Sequence, residues 1–377
     1  MASAKPDIVS RVPSNVWEQI FGHVSVLQLL EFRLICRSWR SIVDGCPALM
    51  KRILLKFPEG FVLDREYEHL VPARNLSLEK VQIMAVGGWW PKFAERLGFL
   101  SLKGCGICVS TLLKALEPMA NLKVLRLSEM EMWKSSELAV DFELKQVEEL
   151  TVDDLDEEMF CFLAPLFTQL KWIDMPRLYE VYEPGVSESI IIDTLRSLQQ
   201  TLEGVSIDYS PTILDEILRM KQLTHLKVRT GDMNNLELTE IGTELTNLKC
   251  IQVCLSSSTE IPTFLETMPN LEEICLISEQ GELDFAELKN PKLRRFKCFG
   301  IQPIVSSLFR YLESSPNITE ICFDHCRFPS EVEIFSVLEL FCQTLRRLEL
   351  RLLYVNPGNY HLSKCFGWIA ARWTRLF

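Results

Sequence analysis

Thirteen cysteines and five histidines are the residues of this chain most able to do chemistry, and two stretches set them close together. "CGIC" places Cys105 and Cys108 at the C-x-x-C spacing of a zinc or redox pair, and "CFDHC" gathers Cys322, His325 and Cys326. A structural zinc takes four ligands, and "CGIC" has no second pair to complete such a set. In "ITEICFDHC" a strand would send alternate side chains to opposite faces, which separates the three candidate ligands. The five histidines are scattered, and none forms a nucleophile–base pair with a Ser or Cys. Neither a G-x-x-x-x-G-K-[ST] phosphate loop nor a dinucleotide fingerprint is present. The sequence thus predicts no metal, no cofactor and no catalysis by this chain.

The elements around those cysteines explain them better. "LKCIQVCL", "EEICLIS" and "TEICFD" are apolar, strand-like runs, and an odd cysteine count suits reduced thiols used as small buried hydrophobes. No run approaches 18 consecutive apolar residues, and "MASAKPDIVSRVPSNVW" lacks the apolar core of a signal peptide. The expectation is a protein of the cytoplasm, the nucleus or both. A net charge of −11 argues against a phosphate-backbone binder and gives no sign of a membrane partner. Residues 1–56 nevertheless carry eight Lys/Arg against four Asp/Glu, so a basic head leads an acidic body.

From residue 73 a six-residue pattern recurs with apolar residues at its first, fourth and sixth positions. Copies begin at Ala73, Leu97, Leu122, Val147, Leu170 and Leu202, then at Leu223, Leu248, Leu271, Leu293, Ile318 and Leu345. Successive starts lie 24, 25, 25, 23, 32, 21, 25, 23, 22, 25 and 27 residues apart. At 47% hydrophobic content any one match is weak, but a sustained period is not. The fourth and sixth residues alternate with polar ones, as in a strand buried on one side. Between copies, "STLLKALEPMANL", "IIIDTLRSLQQTL", "TILDEILRMKQL" and "IVSSLFRYLESSPN" space apolar residues as helices do. Segment 73–350 therefore resembles leucine-rich repeats, and "LGFLSLKGC" and "ITEICFDHC" continue as the Cys-type pattern. The resemblance implies an α/β solenoid, a horseshoe of about twelve strand–helix repeats whose concave wall runs about 50 Å.

The stretch "RVPSNVWEQIFGHVSVLQLLEFRLICRSWRSIVDGCPALM" resembles an F-box, a small all-α, three-helix module. An apolar-Pro pair at Val12-Pro13 comes first, and Ser14-Asn15 offers an N-cap. Val16, Ile20 and Phe21 mark one side of the first helix, Val24 to Leu27 form a turn, and Leu29-Leu30 open the second helix. "ICRSWR" then supplies the apolar-Cys-x-x-Trp signature at Ile35, Cys36 and Trp39. Val12 stands where the family has Leu, and Glu31 must face solvent because its burial would be costly. The chain is thus identified as a member of the F-box proteins with leucine-rich repeats. It divides into an N-terminus without order at 1–10, an F-box at 11–50, a linker or capping segment at 51–72, repeats at 73–350 and a C-terminal cap at 351–377.

The resemblance implies a partner for the apolar face: a Skp-type adaptor, and through it a cullin scaffold. The adaptor-binding residues are then Val12, Pro13, Val16, Ile20, Phe21, Leu29, Leu30, Ile35, Cys36 and Trp39. Arg33, Arg37 and Arg40 would steer encounter with an acidic adaptor. Trp39→Ala is expected to weaken that binding by about 2–4 kcal/mol. The implied function is substrate recognition for a Skp–cullin–F-box ubiquitin ligase, with the repeats holding a target protein. A non-catalytic leucine-rich-repeat binding or scaffold protein outside ubiquitin transfer remains the alternative.

Target contacts are expected at the outward strand positions. These are Trp172, Asp174, Asp208, Lys227, Arg229, Arg295, Lys297 and Arg347, with Tyr179 and Tyr182 in the long 32-residue spacing. Along this order the wall changes from acidic to basic. "GGWWPKF" reads as local packing, and Trp368 and Trp373 would seal the last repeat.

Overall fold

The computed structural model describes residues 12–64, 71, 73–133, 141–175, 177, 185–256, 262–278, 282–285, 288–330, 334, 339–341, 343–351 and 353–355. Residues 1–11, the Tyr179/Tyr182 segment and the proposed C-terminal seal with Trp368 and Trp373 lie outside these. The chain divides into two compact units, Met1–Leu170 with Tyr179–Val186, and Lys171–Leu178 with Ser187–Phe377.

The first unit opens with four helices: α1 (Ser14–Gly22), α2 (Val26–Ile35), α3 (Arg37–Gly45) and the short α4 (Pro47–Met50). Helix α1 starts at Ser14 behind Pro13, with no side-chain cap, so the expected Ser14-Asn15 cap is corrected. Ser25 and Gln28 close a reciprocal capping box on α2, which therefore begins at Val26 within the expected turn. Arg52 then reaches back to donate to the carbonyls of Phe21 and Gly22, both at 2.9 Å, satisfying the end of α1. A parallel ladder follows with strands Leu54–Lys56, Asn75–Glu79, Phe99–Lys103, Val124–Ser128 and Glu149–Asp153. The first of these lies in the segment read as a linker or cap; three residues are too short to carry a visible pattern.

The second unit continues the same motif in eight parallel strands. They are Trp172–Asp174, Gly204–Ile207, His225–Met233, Cys250–Leu255, Glu273–Ile277, Arg295–Phe299, Glu320–Asp324 and Arg347–Arg351. A strand lies in every copy read from the sequence. Its fourth and sixth residues face the core: Leu125 and Leu127 in the first unit, Ile251 and Val253 or Phe296 and Cys298 in the second, are fully buried. Burying each such aliphatic side chain is worth about 1.5–3 kcal/mol, which fixes which face of each strand points inward.

Return legs are more varied than one helix per repeat. Helices Val109–Leu116, Glu188–Leu198, Pro211–Ile217 and Val305–Glu313 occupy the four stretches with helical spacing. Elsewhere the first unit adds a second parallel ladder of Val62–Leu63, Gln82–Ile83, Gly106–Cys108 and Glu131–Trp133. Two devices repeat with the period. The residue after several strands takes a left-handed conformation: Lys80, Gly104, Glu129 and Asp154 in the first unit, Gly300 and His325 in the second. An amide just before the first apolar position donates to a carbonyl one repeat earlier: Asn121 to Glu95 at 2.7 Å, Gln146 to Met119 at 2.8 Å, Asn247 to Lys221 and Asn270 to Thr246 at 3.0 Å. These side chains satisfy backbone groups that the irregular return legs leave unpaired.

Candidate functional site

Two surfaces hold the predicted site residues, one in each unit. On the four-helix head, Trp39 sits at the centre of an aromatic cluster, with ring centroids 5.2 Å from Trp17, 5.3 Å from Phe21 and 5.1 Å from Phe32. Its Nε1–H is covered and meets no acceptor among the described residues. Phe21 and Leu29 are completely buried beside Val43, Leu49 and Met50. These three predicted docking residues therefore hold the head together, because one apolar stripe of each helix must close the module's own core. Cys36 is also structural: its Sγ accepts the Trp39 backbone N–H at 3.4 Å and caps α3. Arg33 is no steering charge, since it is buried in a two-pronged pair with Asp44, at 2.5 and 2.9 Å. Arg37, Arg40 and Glu31 are exposed.

What remains outside is still apolar. Val16, Ile20 and Ile35 are exposed, and so are Val26, Leu27 and Leu34, which sequence reasoning did not single out. Leu30 is half-buried. Leu27, Leu30 and Leu34 follow the i, i+3, i+7 spacing of one helical stripe, while Leu29 and Arg33 occupy the inner face of the same helix. A helix apolar on both sides was the available signal, because only one side can meet the module's own core. Half-buried Val12 and exposed Pro13 line a shallow depression with Ser14, Arg37, Ser38, Ser41 and Ile42.

On the second unit, strand register sets three outward columns. Trp172, Gly204, His225, Cys250, Glu273, Arg295, Glu320 and Arg347 stand side by side. The next column runs Asp174, Ser206, Lys227, Gln252, Cys275, Lys297, Cys322 and Glu349. In the third, Ile277, Phe299, Asp324 and Arg351 are neighbours. At one end the Trp172 indole lies over Gly204, meets His225 edge-on at 5.9 Å and carries the Lys227 ammonium 5.2 Å from its centroid. Arg229 joins Asp174 and Asp208, each at 3.2 Å.

At the other end, Glu273 pairs with Arg295 at 2.6 Å and Lys297 at 2.9 Å. Glu320 faces Lys297 and Arg347, both at 3.7 Å, and Glu349 pairs with Arg347 and, at 2.8 Å, with Arg351. The expected drift from acid to base along the wall is therefore corrected. Opposite charges one period apart, such as Glu273 and Arg295, land side by side and alternate in sign. The one-period recurrence carries this alternation in the sequence, since register sets residues one period apart side by side.

Burial alone would push Glu273 up, but its bond from Lys297 and the nearby Arg295 and Lys227 charges outweigh it and hold the carboxyl below its ordinary value. Burial pulls Lys297 down and the Glu273 bond more than restores it, so it ends above its ordinary value. Burial is the main force pulling the His225 imidazole down, and pushes the Cys250 and Cys275 thiols up to about 12. Cys326 of "CFDHC" is buried and donates to the Cys298 carbonyl at 3.4 Å, Cys322 stands in the outward column but is covered by its neighbours, and His325 bonds Asp324 at 2.8 Å. Among the described residues no group of His, Cys, Asp and Glu is placed to hold a metal ion, and no helix is long and apolar enough to cross a membrane. What the wall offers chemically is ion pairing and aromatic stacking.

The F-box domain model matches residues 9–51. Among curated proteins, none matches the chain in sequence. Similar solved structures include an internalin from Listeria monocytogenes at 15% identity, covering 76% of this chain and 81% of that one, with a TM-score of 0.44. A leucine-rich-repeat protein of Leptospira interrogans is similar at 15% identity over 75% of this chain and 79% of that one, with a TM-score of 0.34.

Proposed function

We propose that this chain, an F-box/leucine-rich-repeat protein, is the substrate-recognition subunit of a Skp–cullin–F-box ubiquitin ligase. Its head docks to a Skp-type adaptor and through it to a cullin, and the repeat wall holds a target protein. Ubiquitin transfer is then promoted by proximity, with no residue of this chain in the chemistry. The setting is the cytoplasm or nucleus, and neither nucleic acid nor membrane is a partner. The observation that supports the reading is the apolar surface of Val16, Ile20, Leu27, Leu34 and Ile35, left exposed on a module whose inner core is already filled. Such a surface is costly unless a partner covers it.

The test is co-purification of the wild-type chain beside an Ile20→Glu/Leu34→Glu variant, with the bound proteins identified. Both substitutions lie outside the core, so the head should stay folded while adaptor and cullin are lost together. Equal recovery from the two chains would sink the docking assignment. Adaptor without cullin would point instead to a scaffold outside ubiquitin transfer.

A further inference from the structure

In the last strands of the second unit, opposite charges are equal in number but not in height. Four cations, Arg295, Lys297, Arg347 and Arg351, share the face with four carboxylates, Glu273, Glu320, Asp324 and Glu349. The carboxylates are only 14–20% exposed, whereas Arg295, Arg347 and Arg351 are 46–63% exposed. The anions thus lie low against the sheet and anchor guanidinium groups that stand above them. A guanidinium has five donors in a planar fork. Arg347 turns Nε and Nη2 to Glu349, while its Nη1 stays 3.7 Å from Glu320, beyond hydrogen-bond reach. Half-buried Ile277 and Phe299 adjoin in the third column and give the same face a small apolar strip.

We propose that this face binds an extended acidic segment of the target protein, its Asp and Glu carboxylates pairing with Arg295, Arg347 and Arg351. The inference rests on the repeat wall being the target-binding surface and names the chemistry it selects. Carboxylates suit it because a planar fork grips them through two parallel bonds at short range. A polyphosphate chain suits it less, because nucleic-acid binding depends on a net positive field and this patch is neutral overall. The low carboxylates hold the arginines upright before binding, so less side-chain freedom is lost on contact.

The test is fluorescence anisotropy with the full chain and labelled homopeptides of Glu, Gln and Lys, each about eight residues long. At ~3.3 Å per residue such a peptide spans roughly 26 Å, enough to cross four strands ~4.8 Å apart. The Glu peptide should bind, and the Gln and Lys peptides should not. Arg347→Ser/Arg351→Ser should weaken Glu-peptide binding about tenfold or more, and raising salt from about 0.05 to 0.5 M should weaken it in the wild type. Glu320→Gln/Glu349→Gln keeps oxygens that can still accept from the guanidinium groups while removing two negative charges, and should strengthen binding, a gain that a misfolded chain cannot mimic. Absent Glu-peptide binding, equal binding by the Arg variant, or tighter binding of an oligo-dT of similar length would overturn the proposal. Those results leave the wall's wider role to a separate reading. Proteins recovered with the wild-type chain and lost with Trp172→Ala would still show a target-binding wall, whereas their absence would count against the wall itself.

Discussion

A hydrogen atom in place of a side chain at position 204 lets the Trp172 indole lie across the neighbouring strand, since a Cβ there would fall 2.0 Å from its Cε3. Gly204→Ala should therefore expel the ring from His225 and Lys227. Expected are a changed Trp fluorescence spectrum and a loss of about 1–3 kcal/mol in urea unfolding; an unaltered spectrum would contradict the packing. His225 gives a pH test. Burial lowers its folded value below 6.5, against Glu273, which raises it, while Lys227, Arg295 and Lys249 lower it further. The unfolded chain then holds the proton more tightly, so this contribution is complete above about pH 6.5 and is lost as pH falls through the lowered folded value. His225→Gln should flatten the urea midpoint over that range, and an unchanged slope would assign it elsewhere. The period alone puts Trp172 and Lys227 on one face. It could not show that they touch, since that depends on Gly204 and on side-chain reach.

Among the elements, the left-handed turn after six of the strands is filled by Gly104 and Gly300 but also by Lys80, Glu129, Asp154 and His325. A residue with a Cβ pays roughly 1–2 kcal/mol there. Glu129→Gly should thus raise stability by about 1 kcal/mol, the exposed 3.5 Å pair with Lys103 being worth little; a loss in chemical denaturation would refute the strain. In the head, Trp39→Ala should cost about 3–5 kcal/mol of F-box stability by emptying the Trp17–Phe21–Phe32 cluster. That outcome, read as lost helical signal or early proteolysis, would accompany any weakening of adaptor binding by the same substitution. The residues of the F-box signature all fall within the matched segment 9–51. The signature did not divide them between core and surface, because Phe21 and Ile20 are adjacent in sequence and apolar alike, and only helix packing sends one inward.

For the molecule as a whole, the period was the most legible feature, since stacking forces the same inward residues to recur about every 25 positions. The two compact units were not legible: the first division between them falls at Leu170 and Lys171, inside a copy of the repeat, so no change of composition marks it. In the second unit the charged wall should set both ends of the pH range. Glu273 is held below its ordinary 4.5, so its contribution is present above that value and lost as pH falls through the lowered one. Lys297 is held above 10.5, so its share is present below 10.5 and lost as pH climbs through the raised value. Thermal melts across pH should show a plateau between these limits, and Glu273→Gln should blunt the acid fall. A full acid fall in that variant would count against the pairing.

The buried thiols of this sheet turn its packing into a set of clocks. Cys250 and Cys275 rest at about 12 and Cys326 at about 11, so near neutral pH only about one in ten thousand or fewer is a reactive thiolate while its strand stays closed. Exposure on unfolding returns each to ordinary reactivity. A pulse of iodoacetamide followed by peptide mapping would then report the opening rate of these three repeats separately, through residues the chain already carries.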